Sequence, residues 1–162
     1  MFSSNLFGAV QDTLAYKNYY AALPLKLFKL NSPYGVRTHP VTREYYSFHK
    51  GIDIAGKNEV VVSILPGLID KTGYTPIMGN YIVVRYGSYT VYYAHLSKIY
   101  SSAGQVLQTG DPIGFTGSTG RTTGEHLHLS VLRRGLSVNP LYFLLIILST
   151  SGDELKRYLY GG

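Results

Sequence analysis

Residues 80–96 read NYIVVRYGSYTVYYAHL. Aromatic and β-branched residues, which suit a pleated and half-buried surface, fill both halves of this stretch, and Gly87 with Ser88 interrupts them at the centre. The pattern predicts a hairpin, two antiparallel strands joined by a tight turn in which a glycine supplies the positive φ. The sequence on either side repeats the texture. From about residue 31, glycines punctuate short apolar runs such as EVVVSILPGLID (59–70), GQVLQTGDPIGFTG (104–117) and HLHLSVL (126–132). The chain is therefore read as mainly β, an antiparallel sheet layered on itself as a sandwich, with its last strand near 126–132.

The ends have a different character. Leu6, Val10 and Leu14 recur at helical spacing, which predicts a short N-terminal amphipathic helix ending by Pro24. After VNP (138–140) the sequence turns apolar and then charged, LYFLLIILSTSGDELKRYLYGG (141–162), predicting one or two C-terminal helices. No repeat or low-complexity linker separates these parts. The expected division is an extension over 1–30, a single domain over 31–141 and a helical extension over 142–162.

Composition removes several function classes. At 162 residues the chain has room for one domain with a real core. Without cysteine it has no disulfide, no thiol nucleophile and no sulfur ligands for a metal. A net charge of +6 suits an acidic partner, and both nucleic acid and the anionic bacterial wall qualify. The sixteen tyrosines come with no base-reading motif and are explained by strand propensity, so nucleic acid is set aside. The longest apolar run, 141–148, is far short of the roughly 20 residues of a membrane helix. The first thirty residues lack the features of a secretory signal.

The five histidines carry the chemistry. Alternate residues of a strand share a face, so His126 and His128 project together while Glu125, Leu127 and Leu129 face the other way. In FHKGIDIAG (48–56), His49 and Asp53 are four apart and share a face in a strand, with Gly51 between them; its missing side chain is expected to leave space for an ion. His95 ends the predicted hairpin. Two imidazoles and one carboxylate match the ligand set of a catalytic zinc, which takes nitrogen and oxygen donors and keeps one position for water. The helical H-E-x-x-H motif with its glutamate base is absent, so proton transfer falls to histidine. His39, in RTHP, is read as structural, and Asp12, Asp70, Asp111 and Asp153 are read as turn or helix-start residues.

The order and spacing of NSPYGVRTHPVT, FHKGIDIA, GNYIVVRYG, YYAHLS, GQVLQTGDPIGFTGSTGRTTGEHLHLSV and VNP, over about residues 31 to 140, resemble the lysostaphin-type zinc endopeptidases of bacterial cell walls. The resemblance implies that His49 and Asp53 stand at the H-x-x-x-D ligand positions, that His128 is the ligating second histidine of H-x-H, and that His95 and His126 are the catalytic histidines. It implies zinc as cofactor and the peptide part of peptidoglycan as substrate, cut in a cross-bridge or in a stem. The chain departs from the family pattern around H-x-H: Glu125 replaces the usual proline, and Leu129 and Ser130 replace the usual phenylalanine and glutamate.

Further expectations follow. Gly117, Gly120 and Gly124 would let backbone approach an extended substrate peptide, and the tyrosine-rich hairpin would line the groove, with only one of Tyr92 and Tyr93 able to face it. Without a signal segment, the protein is expected to reach the wall as a phage lysin, on a virion or by another export route. The apolar run 141–148 would then dock on that partner or, in the alternative, bury itself in the core. The rival reading of the whole chain is a non-catalytic peptidoglycan-binding or activator module on the same fold.

Overall fold

The computed structural model describes residues 20–38, 41–43, 45 and 47–161. The expected N-terminal helix, Asp12 and His39 lie outside these residues.

Thirteen strands and two helices follow one another along the described chain. The main sheet is antiparallel throughout, in the order β1 (Leu30–Ser32), β4 (Ile52–Ala55), β12 (His126–Arg133), β8 (Tyr89–Leu96), β7 (Gly79–Tyr86), β6 (Gly67–Thr75) and β10 (Val106–Leu107). A short β13 (Leu136–Val138) also pairs with β12. A three-stranded sheet combines β5 (Val60–Val62), β11 (Pro112–Phe115) and β9 (Lys98–Ile99), and β2 (Gly35–Arg37) pairs with β3 (Ser47–His49). Val61 and Ile113 from the three-stranded sheet join Ile54, Ile82, Val91, Leu127 and Leu129 from the main sheet in one buried cluster. The fold is thus the layered antiparallel β architecture that the glycine-punctuated runs predict.

The hairpin falls where its sequence places it, with Gly87 at φ +61° between β7 and β8. That glycine has a second duty, because a Cβ there would lie 2.4 Å from the Leu159 carbonyl oxygen of the C-terminal helix. The same carbonyl accepts hydrogen bonds from the Ser88 N–H and hydroxyl, each at 2.8 Å. Helix and hairpin tip are therefore pinned together.

The run 59–70 breaks into two strands, β5 and β6, around the buried residues Ser63, Ile64 and Leu65. Here a directed chain of four hydrogen bonds satisfies five polar groups inside the core: Ile64 N–H to Tyr93, Tyr93 to Tyr86 at 2.7 Å, Tyr86 to Ser63 at 2.8 Å, and Ser63 to the Leu65 carbonyl at 2.7 Å. Burial pushes the Tyr86 hydroxyl up to about 12, so the chain stays protonated. Asp70, read as a turn residue, instead sits inside β6 and pairs with Arg85 of β7 across the ladder.

The C-terminal sequence forms α1 (Pro140–Ser149) and α2 (Gly152–Tyr160). Asn139 caps α1 by accepting the Leu141 N–H at 3.0 Å, and Pro140 occupies a first-turn position that needs no N–H donor. Phe143, Leu144 and Ile147 of α1 and Leu155 and Leu159 of α2 are buried in the same cluster as the sheet. Tyr142, Leu145, Ile146 and Leu148 form the outer, exposed side of α1. The apolar run is therefore divided between core and surface. Among the described residues, no helix is long and apolar enough to cross a membrane.

Candidate metal and proton-transfer site

Register builds the centre of the site. β12 pairs with β4 so that His128 faces Asp53 and His126 faces Ala55, which puts both imidazoles and the carboxylate on one side of the sheet. His49 arrives from β3, outside the main sheet, and its Nε2 lies 3.3 Å from Asp53 Oδ1 and 3.2 Å from His128 Nδ1. His128 Nδ1 lies 2.8 Å from the same oxygen, and His126 Nε2 lies 3.4 Å from it. His95 completes the group, its ring 4.8 Å from that of His126 and 5.8 Å from that of His128. All five residues singled out from the sequence converge.

His95 gets there by breaking a rule. Ala94 is the cross-strand partner of His128 and shares its face, so plain alternation would send His95 into the core. The backbone of His95 is left-handed, φ +63°, and the β7–β8 register shifts between Asn80 and Ile82, directly opposite. A non-glycine residue held at positive φ costs free energy that the surrounding packing must offset.

Backbone carbonyls fix three of the rings. His49 Nδ1 donates to Pro33 O at 2.9 Å, His95 Nδ1 to Thr119 O at 2.8 Å, and His126 Nδ1 to Gly124 O at 2.8 Å. A carbonyl oxygen can only accept, so Nδ1 carries the proton in each ring and a neutral ring holds its lone pair on Nε2. With Nδ1 committed, the Nε2 atoms of His49 and His126 meet Asp53 Oδ1 in contacts that a proton or a metal ion must bridge. The ligand atoms of His49, Asp53 and His128 all lie within 4.8 Å of one another, and a donor set of two nitrogens and one oxygen, with the His49 ring anchored at Pro33 O, fits a divalent metal.

Electrostatics separates the rings. Burial would raise Asp53, but hydrogen bonds from His126, His128 and His49 outweigh it and hold the carboxylate well below its usual range. Burial takes His95 down to about 4, so it is neutral at pH 7. It also lowers His128. Burial acts the same way on His126, yet the Asp53 carboxylate more than offsets it and His126 takes a proton more readily than a free histidine.

The cleft over these residues is also lined by Val41, Phe48, Ile77, Met78, Arg121 and Thr122. The expected tyrosine wall is not there: Tyr93 is buried in the core, and Tyr92, although on the His128 face of the sheet, lies beyond the residues that line the cleft, its ring 6.4 Å from that of Tyr81. Two glycine expectations also change. A Cβ on Gly51 would lie 2.5 Å from His128 Cε1 and 2.7 Å from Leu129 O, so the space at Gly51 holds the His128 ring rather than an ion. Gly117 and Gly120 make room for the chain itself, at Ser97 N and Gly79 N, and only Gly124 opens onto free space. Glu125 turns away as expected, accepting from the Thr116 hydroxyl at 2.9 Å and from the Asn58 N–H. Sequence reasoning did not single out Arg37, whose Nη1 lies 3.6 Å from Asp53 Oδ2. Its only sequence signal is its place in GVRTHP, ten residues and more from the histidines it joins.

A family model, Peptidase family M23, matches residues 47–140, more than half of the chain and the whole span from His49 to His128. The chain belongs to peptidase family M23. The peptidoglycan DD-endopeptidase ShyA of Vibrio cholerae is 40% identical over 107 residues, covering 65% of this chain and 25% of that protein. Among solved structures, a zinc-containing peptidase from Vibrio cholerae superposes with a TM-score of 0.65 at 34% identity, over 76% of this chain and 39% of the other. Lysostaphin from Staphylococcus simulans superposes with a TM-score of 0.70 at 26% identity, over 82% of this M23 chain and 56% of lysostaphin. The M23 chain spans about a quarter of the length of the curated relatives it matches.

Proposed function

We propose that this protein is a zinc-dependent endopeptidase that hydrolyses amide bonds in the peptide part of bacterial peptidoglycan. The observation that carries the reading is the convergence of the His49, His126 and His128 ring nitrogens on Asp53 Oδ1 in a cleft that all four residues line. Membership of a peptidase family and likeness to a peptidoglycan DD-endopeptidase support the reaction and the substrate class. His49, Asp53 and His128 would hold the zinc. When bound, zinc supplies Lewis acidity, polarising the scissile carbonyl and making water a nucleophile at neutral pH.

The remaining chemistry belongs to the other two histidines. His126, with its raised proton affinity and its Nε2 toward the centre, takes the proton of the attacking water and returns it to the leaving amine nitrogen as the carbon–nitrogen bond breaks. His95 stays neutral, with Nδ1 tied to Thr119 O, and its Nε2 accepts a hydrogen bond that orients the water. One carboxylate beside a divalent ion leaves the site net positive, which favours the developing oxyanion. The protein acts at the wall, and the basic chain suits that anionic polymer.

Metal content of the purified protein, paired with release of new amines from purified peptidoglycan before and after chelation, tests the reading. About one zinc per chain with chelator-sensitive amine release is the expected result. A metal-free protein that zinc cannot activate, yet that binds peptidoglycan, would establish the non-catalytic module instead.

A further inference from the structure

We propose that Arg37 is a positioning residue for this centre, which reserves the outer oxygen of Asp53 so that the carboxylate offers a single oxygen, Oδ1, to the metal. The inference rests on the metallopeptidase reading above.

The two carboxylate oxygens have different surroundings. Oδ1 faces ring nitrogens of His49, His126 and His128 at 2.8 to 3.4 Å. Oδ2 faces the Arg37 guanidinium, with Nη1 at 3.6 Å. That nitrogen is itself moored, donating to the Ser32 hydroxyl at 2.7 Å. Ser32 in turn is the register partner of Asp53 across the β1–β4 ladder. Arg37 of β2 thus bridges Ser32 of β1 and Asp53 of β4 across two sheets, and the guanidinium cannot move without leaving Ser32.

This bridge answers a problem of the donor set. A carboxylate rotates easily about its terminal torsion, which is broad and two-fold, and can bind a metal through one oxygen or through both. If Oδ2 also became a ligand, it would take the position that a hydrolytic metal keeps for water or substrate. A cation fixed at Oδ2 opposes that rotation. Arginine suits the task better than lysine, because a planar, permanently charged and weakly hydrated group can hold Ser32 and face Asp53 from one nitrogen, Nη1. Fold stability alone accounts poorly for its placement, since Arg37 Nε is buried without a hydrogen-bond partner.

The test is spectroscopic and uses the full chain loaded with cobalt(II), whose visible absorption weakens as coordination rises from four. The variants are Arg37→Met, Arg37→Lys and Ser32→Ala, each checked by circular dichroism and assayed as the zinc form. Arg37→Met is expected to retain one metal per chain, to show a weaker, higher-coordinate cobalt spectrum, and to lose roughly 10- to 100-fold in kcat. Arg37→Lys should recover part of both, and Ser32→Ala should move both in the same direction by less. A cobalt spectrum identical to that of the unaltered protein in folded Arg37→Met overturns the inference, even where kcat falls, because a purely structural clamp would do only that. Should Arg37→Met not fold, Ser32→Ala decides by the same spectrum. Unaltered protein that binds neither zinc nor cobalt sinks the metallopeptidase reading itself, whereas normal loading with unchanged variant spectra sinks the Arg37 inference alone.

Discussion

Asp53 stands directly across the β4–β12 ladder from His128, and its Oδ1 lies 2.8 Å from His128 Nδ1. The pair ties the two sequence motifs, 75 residues apart, into one centre. Replacing Asp53 by Asn keeps the shape and removes the only negative charge among the expected ligands. Metal affinity should fall by more than the roughly 100-fold typical of losing an outer partner, measured by competition with a chelator. Near-normal affinity in Asp53→Asn would exclude the carboxylate as a ligand.

Gly51 is expected to be intolerant of any side chain. Its Cβ would press on the His128 ring and on Leu129 O, the latter being backbone of the central strand β12, which cannot move freely. Gly51→Ala should cost about 1–3 kcal/mol in denaturant unfolding and abolish metal binding with it. Unchanged stability and metal content would show that the ring has another place to go.

His95 touches the site without belonging to the trio of ligand atoms. His95→Ala should keep its metal and lose turnover by about 100- to 10,000-fold, with a stability loss of about 1 kcal/mol from the hydrogen bond to Thr119 O. Metal analysis beside kinetics separates the two effects, and wild-type turnover would remove His95 from the mechanism.

In chelated protein the two proton-handling rings should titrate apart. Ring NMR signals are expected to show His95 neutral down to about pH 4 and His126 charging above 6.5. Because the folded pKa of His95 lies below the ordinary 6.5, the unfolded chain binds more protons between those values, and stability should decline as pH falls through that window. His126 has the opposite sign: its contribution is full below 6.5 and is lost as pH rises through its folded pKa. Coincident titration of both rings near 6.5 would contradict this division.

The apolar C-terminal helix supplies a stability test. Phe143 is buried and packs 4.6 Å from the Tyr89 ring, so Phe143→Ala should cost about 3–5 kcal/mol. Leu145 on the outer side is 58% exposed, and Leu145→Ser should stay within about 0.5 kcal/mol. Equal effects would mean that the outer side is covered in solution.

What the sequence determined by itself is everything that depends on local geometry. Side chains alternate with period two in any strand, so the shared face of His126 and His128 follows from one residue of spacing, and the 87–88 turn follows from a glycine flanked by strand formers. Tertiary structure alone decided the rest. Asp53 meets His128 through a register set by distant pairing and core packing, His49 comes from a separate sheet, and His95 reaches the centre through a left-handed residue opposite a register shift. Gly51 looked like room for an ion and is room for a ring. Arg37 lies in the stretch NSPYGVRTHPVT, but its role was not legible there, because its partner Asp53 is brought to it only when β1, β2 and β4 come together. Alternation is a property of each residue's own dihedral angles, whereas register and long-range contact are properties of how strands share hydrogen bonds and bury their apolar faces.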